Sequence, residues 1–494
     1  MNITDPVRRQ ALESPETVAV IRGSGIVTYR ELNRAVDALA ARLAGLGLRA
    51  GDAAGVLMHS RYGRLVLTLA LARIGAAAAT VNSAGEKLDG ITLKTCFVDD
   101  AAAAGVRAAD GGAADRVTVD NAWWRTPAAT QEVPAAPSHP DGAATCLIVR
   151  SSGTTGVAKA IALSHDVLGA RVRARTRAIR FPERQRQLCM LGLGLNYGFY
   201  SVLQTLWSGG LTTLAIKGSV HDAIQLYQLN CMVMSPAQLH GVLNAMPEGA
   251  GPFPSLEIVE IGGSILAARL ASLARERLCA NIYVAYGAAE SGITAGAPVA
   301  ALADHPGGAG FIAPGVEVQA VDADDRPLPA GSEGTIRIRS AHCVSAYLGD
   351  AAASARTFRD GWFYPGDTGS VSDQGLLTIA GRSDELINAG GAKVSPQVIE
   401  DAALLHPDVS EAAAFAVPNA ATGVHEIWLA VVVKKPVDGE ALRAFCIERL
   451  GSSKAPWSIL AVKELPRNDN GKVLRSRLVK SAEALRKIAA SKKT

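Results

Sequence analysis

The eleven residues Val149-Arg150-Ser151-Ser152-Gly153-Thr154-Thr155-Gly156-Val157-Ala158-Lys159 combine the groups needed to hold a polyphosphate. The apolar run Cys146 to Val149 reads as a strand feeding a loop of hydroxyls and glycines that ends on a lysine. Glycines let backbone N–H groups converge on an anion, hydroxyls add donors, and the lysine adds a mobile positive charge. The spacing is not that of the P-loop G-x-x-x-x-G-K-[ST], because two residues separate Gly156 from Lys159 and Ala160 follows the lysine. The same residues could also make a flexible turn, so the reading depends on what else the chain supplies.

Further polar residues stand at the ends of apolar runs. Glu260-Ile261-Gly262-Gly263-Ser264 is a strand ending in glycines, where a flat ring can lie because side chains are absent. Tyr286-Gly287-Ala288-Ala289-Glu290 sets an aromatic ring and a carboxylate after a strand end, where ligands of α/β proteins gather. Tyr364-Pro365-Gly366-Asp367-Thr368-Gly369 offers a carboxylate whose two oxygens suit the two hydroxyls of a ribose, although a bare Pro-Gly-Asp turn reads the same way. Gly381-Arg382-Ser383-Asp384-Glu385 and Pro466-Arg467-Asn468-Asp469-Asn470-Gly471-Lys472 add a guanidinium and a second lysine.

In order and spacing, these stretches resemble the adenylate-forming superfamily of acyl-CoA synthetases, luciferases and adenylation domains. The first resembles its [ST]-[SG]-G-[ST]-[ST]-G-x-P-K-G signature, with Ala158 and Ala160 in place of the usual Pro and Gly. The others resemble Y-G-x-T-E, with Ala289 for Thr, then Y-x-T-G-D, G-R-x-[DK]-[DE] and P-R-x-x-x-G-K. The resemblance implies an ATP site in which Ser151, Ser152, Gly153, Thr154, Thr155 and Gly156 hold phosphates. It makes Gly262, Gly263 and Ser264 one face of the adenine slot, with Tyr286 stacked on the ring and Gly287 beside it. Asp367 and Arg382 fall on the ribose or phosphate, Glu290 on Mg²⁺ and Lys159 on the outer phosphates. Lys472 becomes the catalytic lysine that bridges the carboxylate and the α-phosphate. Asp384 is the implied hinge, and Gly390 and Gly391 line a tunnel for the pantetheine thiol of CoA or of a carrier protein. The implied reaction activates a carboxylic acid as acyl-AMP with release of pyrophosphate and then passes the acyl group to that thiol.

The acid is narrowed by an absence of charge. No Asp or Glu lies between Glu183 and Asp222, where amino-acid-activating members place an acidic residue for the substrate ammonium. Leu193 to Ser201 is apolar with a few short polar groups, which suits a flat acid. Members that activate aryl acids, of the dihydroxybenzoate and salicylate type, share four departures from the general pattern. These appear here as Asn196-Tyr197, Ala289-Glu290, Ala158-Lys159 and Ile387-Asn388-Ala389-Gly390-Gly391-Ala392-Lys393-Val394. A substituted benzoate is therefore implied, with Asn196 bonding a ring hydroxyl or amino group and Tyr197, Gly198, Ala237, Gly262 and Gly287 lining its pocket. Asn196 before Tyr-Gly also reads as a turn former. An amine acceptor and a non-catalytic nucleotide-binding relative are the alternatives; a second lysine at 472 argues against the latter.

The elements that must position these residues follow a βα rhythm. Thr28-Tyr29-Arg30-Glu31 is a capping box, after which Leu32, Val36, Leu39, Leu43 and Leu46 share a helical face and Gly47 is a stop. Strands at Ala53 to Met58 and Ala77 to Val81 flank a helix from Arg61 to Ile74, and Ser164-His165 can cap another helix. Alternation of this kind predicts an α/β fold with a mostly parallel sheet. Residues 101 to 144, rich in Ala, Gly and Pro, read as a weakly packed connection anchored by Trp123-Trp124. The expected domains are 1–380, β-rich over about 314–380, a hinge at 381–385, and a small mobile α+β lid at 386–494. Fifty basic and 46 acidic residues leave a net charge of +4, too mild for a nucleic-acid partner. Seven cysteines without a C-x-x-C pair argue against zinc and a disulfide framework and suit a reducing cytoplasm. No membrane insertion is expected, since Arg73 interrupts the longest apolar run.

Overall fold

The computed structural model describes residues 1–81, 88, 90–99, 115–125, 127, 136, 138–139, 141–151, 159–382, 387–389, 392–418, 425–452, 454–467 and 473–491. The capping box forms as written: the Glu31 amide donates to Thr28 Oγ1 at 3.2 Å and the Thr28 amide to the Glu31 carboxylate at 2.7 Å. It opens the helix Tyr29–Gly45, whose Leu32, Val36, Leu39 and Leu43 are buried. Leu46, expected on that face, is exposed instead: the helix stops at Gly45 and the chain leaves it through Gly47 at φ +83°.

Two large sheets carry the N-terminal part. The first has six strands in the order Asp115–Val119, Leu93–Asp99, Ala53–Leu57, Ala77–Thr80, Thr145–Arg150 and Ala160–Ser164. Its pairings are parallel except the last, which folds the chain back around the hydroxyl-rich loop. Asp115–Val119 lies within the stretch read as a weak connection, so that stretch contributes an edge strand. Trp124 behind it is buried, and a side chain at Gly63 would come within 2.9 Å of its ring. Trp123 meets Phe97 edge-on at 6.0 Å beneath the Arg42 guanidinium. These rings are the anchor expected of them. The long apolar run becomes the helix Arg61–Arg73 and the strand Ala77–Thr80, with buried Arg73 paired to Asp37 at 2.6 Å. No helix among the described residues is long and apolar enough to cross a membrane.

The second sheet is parallel through Val18–Arg22, Leu211–Ala215, Arg186–Cys189, Cys231–Met234, Ile258–Gly262 and Ile282–Ala288. It then turns antiparallel through Gly292–Pro298, Gly308–Ile312, Leu376–Arg382, Asp367–Val371 and Gly334–Ser340. The β-rich texture thus begins at Gly292, ahead of Pro314, and is hydrogen-bonded edge to edge into the parallel sheet. Toward the C-terminus, Val409–Pro418, His425–Val433 and Ser458–Ala461 form a three-stranded sheet. It packs with the helices Pro396–Leu404 and Gly439–Leu450 around Ile399, Ala414, Leu429 and Leu442, the α+β unit anticipated.

The Ser164 hydroxyl caps the helix His165–Ala178 by accepting from the Val167 amide at 3.2 Å. The buried His165 ring anchors the N-terminal segment, because the Ile3 amide donates to its Nδ1 at 3.2 Å. Burial lowers the His165 and His342 pKa values from 6.5 to about 4. Both rings are therefore neutral in the fold but charge in the unfolded chain below its own pKa. Their stabilising contribution is complete above pH 6.5 and is lost as pH falls toward 4. Calorimetry should record a falling Tm across that window, and His165→Gln, which cannot charge, should flatten the fall.

Candidate active site

Four neighbouring parallel strands end on the same edge of the second sheet, where an α/β fold gathers its ligands. The register Cys189↔Val233, Met234↔Ile261 and Gly262↔Ala285 aligns those ends. Beyond them stand Asn196 and Tyr197, Ala237, Gly262 and Gly263, and Tyr286 and Gly287. Asn196 opens the helix Asn196–Trp207; it is buried, and its side-chain Oδ1 has no hydrogen-bond partner. Ala237 sits in the first turn of Pro236–Ala245, which a Ser235–Gln238 capping box starts.

Tyr197 is held from behind. Its hydroxyl donates to Glu260 Oε1 at 2.6 Å, and its ring lies where a Gly262 side chain would be, 2.4 Å from that position. Glu260 has no exposed surface and pairs with Arg175, which has none either and also donates to Gln204 Oε1 at 2.6 Å. Burial works against the Arg175 charge, but Glu260 outweighs it and holds the proton more tightly than usual. Burial and then Glu260 push the Tyr197 hydroxyl well up, so it stays a donor. Two of the expected pocket glycines answer to the backbone: a side chain at Gly198 would meet the Gly192 carbonyl at 2.4 Å, and one at Gly287 the Gly292 carbonyl at 2.0 Å. Gly263 takes φ +93° with open space around it, and Ser264 is exposed.

The expected ribose residues meet as one cluster. The Tyr286 hydroxyl donates to Asp367 Oδ2, while Arg382 Nη1 lies 3.4 Å from Asp367 Oδ1 and donates to the Pro365 carbonyl at 3.1 Å. An ionised carboxylate accepts about four hydrogen bonds, the kind of acceptor a ribose hydroxyl needs. Register places Asp367 opposite Arg382 across two antiparallel strands.

On the phosphate side, the Ser151 amide donates to the Lys159 carbonyl at 2.8 Å and the Lys159 amide to Ser151 Oγ at 3.0 Å, closing the base of the hydroxyl-rich loop. Lys159 Nζ sits 4.7 Å from the centre of the Tyr347 ring, whose hydroxyl donates to Glu290 Oε1 at 2.8 Å. Arg171, buried completely, donates to the carbonyls of Ala289 at 2.9 Å, Glu290 at 2.8 Å and His342 at 3.0 Å. Burial lowers its pKa only to about 10, so the charge persists at neutral pH. Glu290 fits a magnesium ion held mainly by phosphates and water: one of its oxygens is free of the tyrosine, and among the described residues no group of three or more His, Cys, Asp or Glu could form a protein cage.

Ser152, Gly153, Thr154, Thr155, Gly156, Asp384, Gly390, Gly391 and Lys472 lie outside the described residues. Sequence reasoning missed Arg171, Arg175, Glu260 and Tyr347. The available signals were a lone Glu inside the apolar run Ile258 to Ile261 and two arginines one helical turn apart.

The model for AMP-binding enzymes matches residues 7–348, and that for the AMP-binding enzyme C-terminal domain matches 398–472. The chain is 29% identical to a salicylyl-CoA synthase / salicylate adenylyltransferase from a Streptomyces species, covering 94% of this chain and 90% of that one. It is 27% identical to enterobactin synthase component E of Escherichia coli K12, covering 96% and 93%. In fold it is similar to o-succinylbenzoate CoA synthetase of Bacillus subtilis bound to its acyl-adenylate intermediate, with a TM-score of 0.82, 23% identity and 96% and 97% coverage.

Gly262→Ala should drive the Tyr197 ring out of place, raising KM for the acid about tenfold or more, as steady-state kinetics would record. Glu260→Ala strands the buried Arg175 charge and should cost about 3–5 kcal/mol in urea unfolding.

Proposed function

Because the chain belongs to the AMP-binding enzyme family, we propose that it activates a substituted benzoate as acyl-AMP and transfers the aroyl group to a thiol. The observation that carries the aryl reading is the buried, unpartnered Oδ1 of Asn196 beside the ring of Tyr197. An unpartnered buried carbonyl is costly unless a ligand donor completes it, as a ring hydroxyl or amino group would. The carboxylate nearest this pocket, Glu260, is engaged by Arg175 and Tyr197 and so does not offer itself to a substrate ammonium.

In the first half-reaction a carboxylate oxygen forms a bond to the α-phosphorus of ATP, and the bond to pyrophosphate breaks with its electron pair leaving on that group. Two anions must approach, so the chain's cations do the work. Lys159 holds outer-phosphate charge, Lys472 bridges the carboxylate and the α-phosphate, and Asp367 with Arg382 fixes the ribose end. Glu290 would hold a Mg²⁺ ion, which would supply charge neutralisation to the phosphates. In the second half-reaction a thiolate displaces AMP from the acyl carbon. We assign residues 1–380 to the adenylating domain, 381–385 to the hinge and 386–494 to the lid that rotates about Asp384, with Gly390 and Gly391 along the thiol path. Free CoA is the favoured acceptor, supported by the naming of the salicylyl-CoA synthase, with the pantetheine of a carrier protein second. Seven free cysteines, six of them buried, support a cytoplasmic setting.

ATP–pyrophosphate exchange without thiol should be driven by benzoates bearing hydroxyl or amino groups and not by fatty or amino acids; exchange with the latter alone would remove the aryl reading. Adding CoA, a pantetheinylated carrier or an amine then identifies the acceptor. Lys472→Ala should abolish exchange, by 10²-fold or more, while calorimetric ATP binding persists. Full activity in that variant would take Lys472 out of the mechanism.

A further inference from the structure

The segment from His342 to Leu348 straps together the two places where phosphate charge would be met. The Val344 amide donates to the Glu290 carbonyl at 2.9 Å, and the Leu348 amide to the Ala160 carbonyl, next to Lys159, at 2.9 Å. Tyr347 lies between these two ties and is buried. Phe358 packs edge-on against its ring at 5.2 Å, and the Tyr347 amide donates to Ser354 Oγ at 2.9 Å. Its hydroxyl engages one oxygen of Glu290 while its face carries the Lys159 ammonium.

We propose that Tyr347 is a positioning residue that holds Glu290 and Lys159 at a working separation, each oriented toward the ATP phosphates and neither neutralised by the other. The proposal rests on the reading of Glu290 as the magnesium carboxylate. Lys159 and Glu290 contact the same side chain from two sides, and a carboxylate paired with a lysine is a poor magnesium ligand. No ion pair joins Lys159 to Glu290; one aromatic side chain touches both instead. A neutral hydroxyl orients the carboxylate without cancelling its charge, and the π face holds the ammonium without taking its donors from phosphate.

The test is calorimetric ATP binding to the full chain, with and without Mg²⁺, together with electron paramagnetic resonance of Mn²⁺ bound to the enzyme–ATP complex. Tyr347→Phe keeps the ring and loses the hydroxyl. It should raise the half-saturating Mg²⁺ concentration about 3- to 10-fold and weaken Mn²⁺ binding, with metal-free ATP binding unchanged. Tyr347→Leu should also weaken metal-free ATP binding, because Lys159 loses its platform. Equal losses with and without metal in Tyr347→Phe would mark a merely structural ring and overturn the proposal. An unshifted metal dependence in Tyr347→Phe beside a shifted one in Glu290→Gln would overturn it alone. An unshifted Glu290→Gln would overturn the magnesium reading beneath it.

Discussion

A guanidinium removed from water must be given acceptors, and the helix His165–Ala178 buries two of them, Arg171 and Arg175, one turn apart. Each organises one side of the site. Arg175 pairs with Glu260 and thereby fixes Tyr197 against Gly262, which shapes the acid pocket. Arg171 collects the carbonyls of Ala289, Glu290 and His342, which ties the turn bearing Glu290, the proposed magnesium carboxylate, to the strap bearing Tyr347. One helix, started by Ser164 directly after the strand that leaves the hydroxyl-rich loop, thus couples acid, phosphate and metal positions.

The nucleotide end depends on a different device. Ile282–Ala288 is the last parallel strand, and the sheet continues past it as antiparallel ribbons without a break. That continuity brings Asp367 and Arg382 to the hydroxyl of Tyr286, although the residues lie in separate hairpins. A free-standing β subdomain would leave this cluster to the accuracy of a loop. Hydrogen bonding into one sheet gives it the rigidity of strands.

Charge is distributed so that the reacting anions meet fixed cations. Arg171 and Arg175 are consumed by structure, Lys159 is shielded from Glu290 by an aromatic face, and Glu260 is neutralised in place. An acid binding near Tyr197 would therefore enter a pocket in which the Glu260 carboxylate is already compensated.

By itself the sequence determined the fold class, the capped helices and the strand ends at which the site is built. Those are local: a Ser or Thr before an amphipathic run, glycines closing an apolar strand, and a carboxylate three residues beyond a Tyr-Gly turn each state their structure within a few residues. Tertiary structure alone decided that Tyr197 is aimed by Glu260, that Tyr347 stands between Lys159 and Glu290, and that the β-rich stretch extends the parallel sheet. Glu260 reads in sequence as a stray charge in a core strand, and Arg175 as one of several basic residues on a helix; only packing brings them together. Leu46 shows the converse, a residue with the right periodicity left in solvent because the helix ends at Gly45, one residue before it. Periodicity and motifs record what a residue does with its neighbours in the chain, whereas the pairs Tyr347–Glu290 and Tyr197–Glu260 lie 57 and 63 positions apart, and no local pattern encodes them.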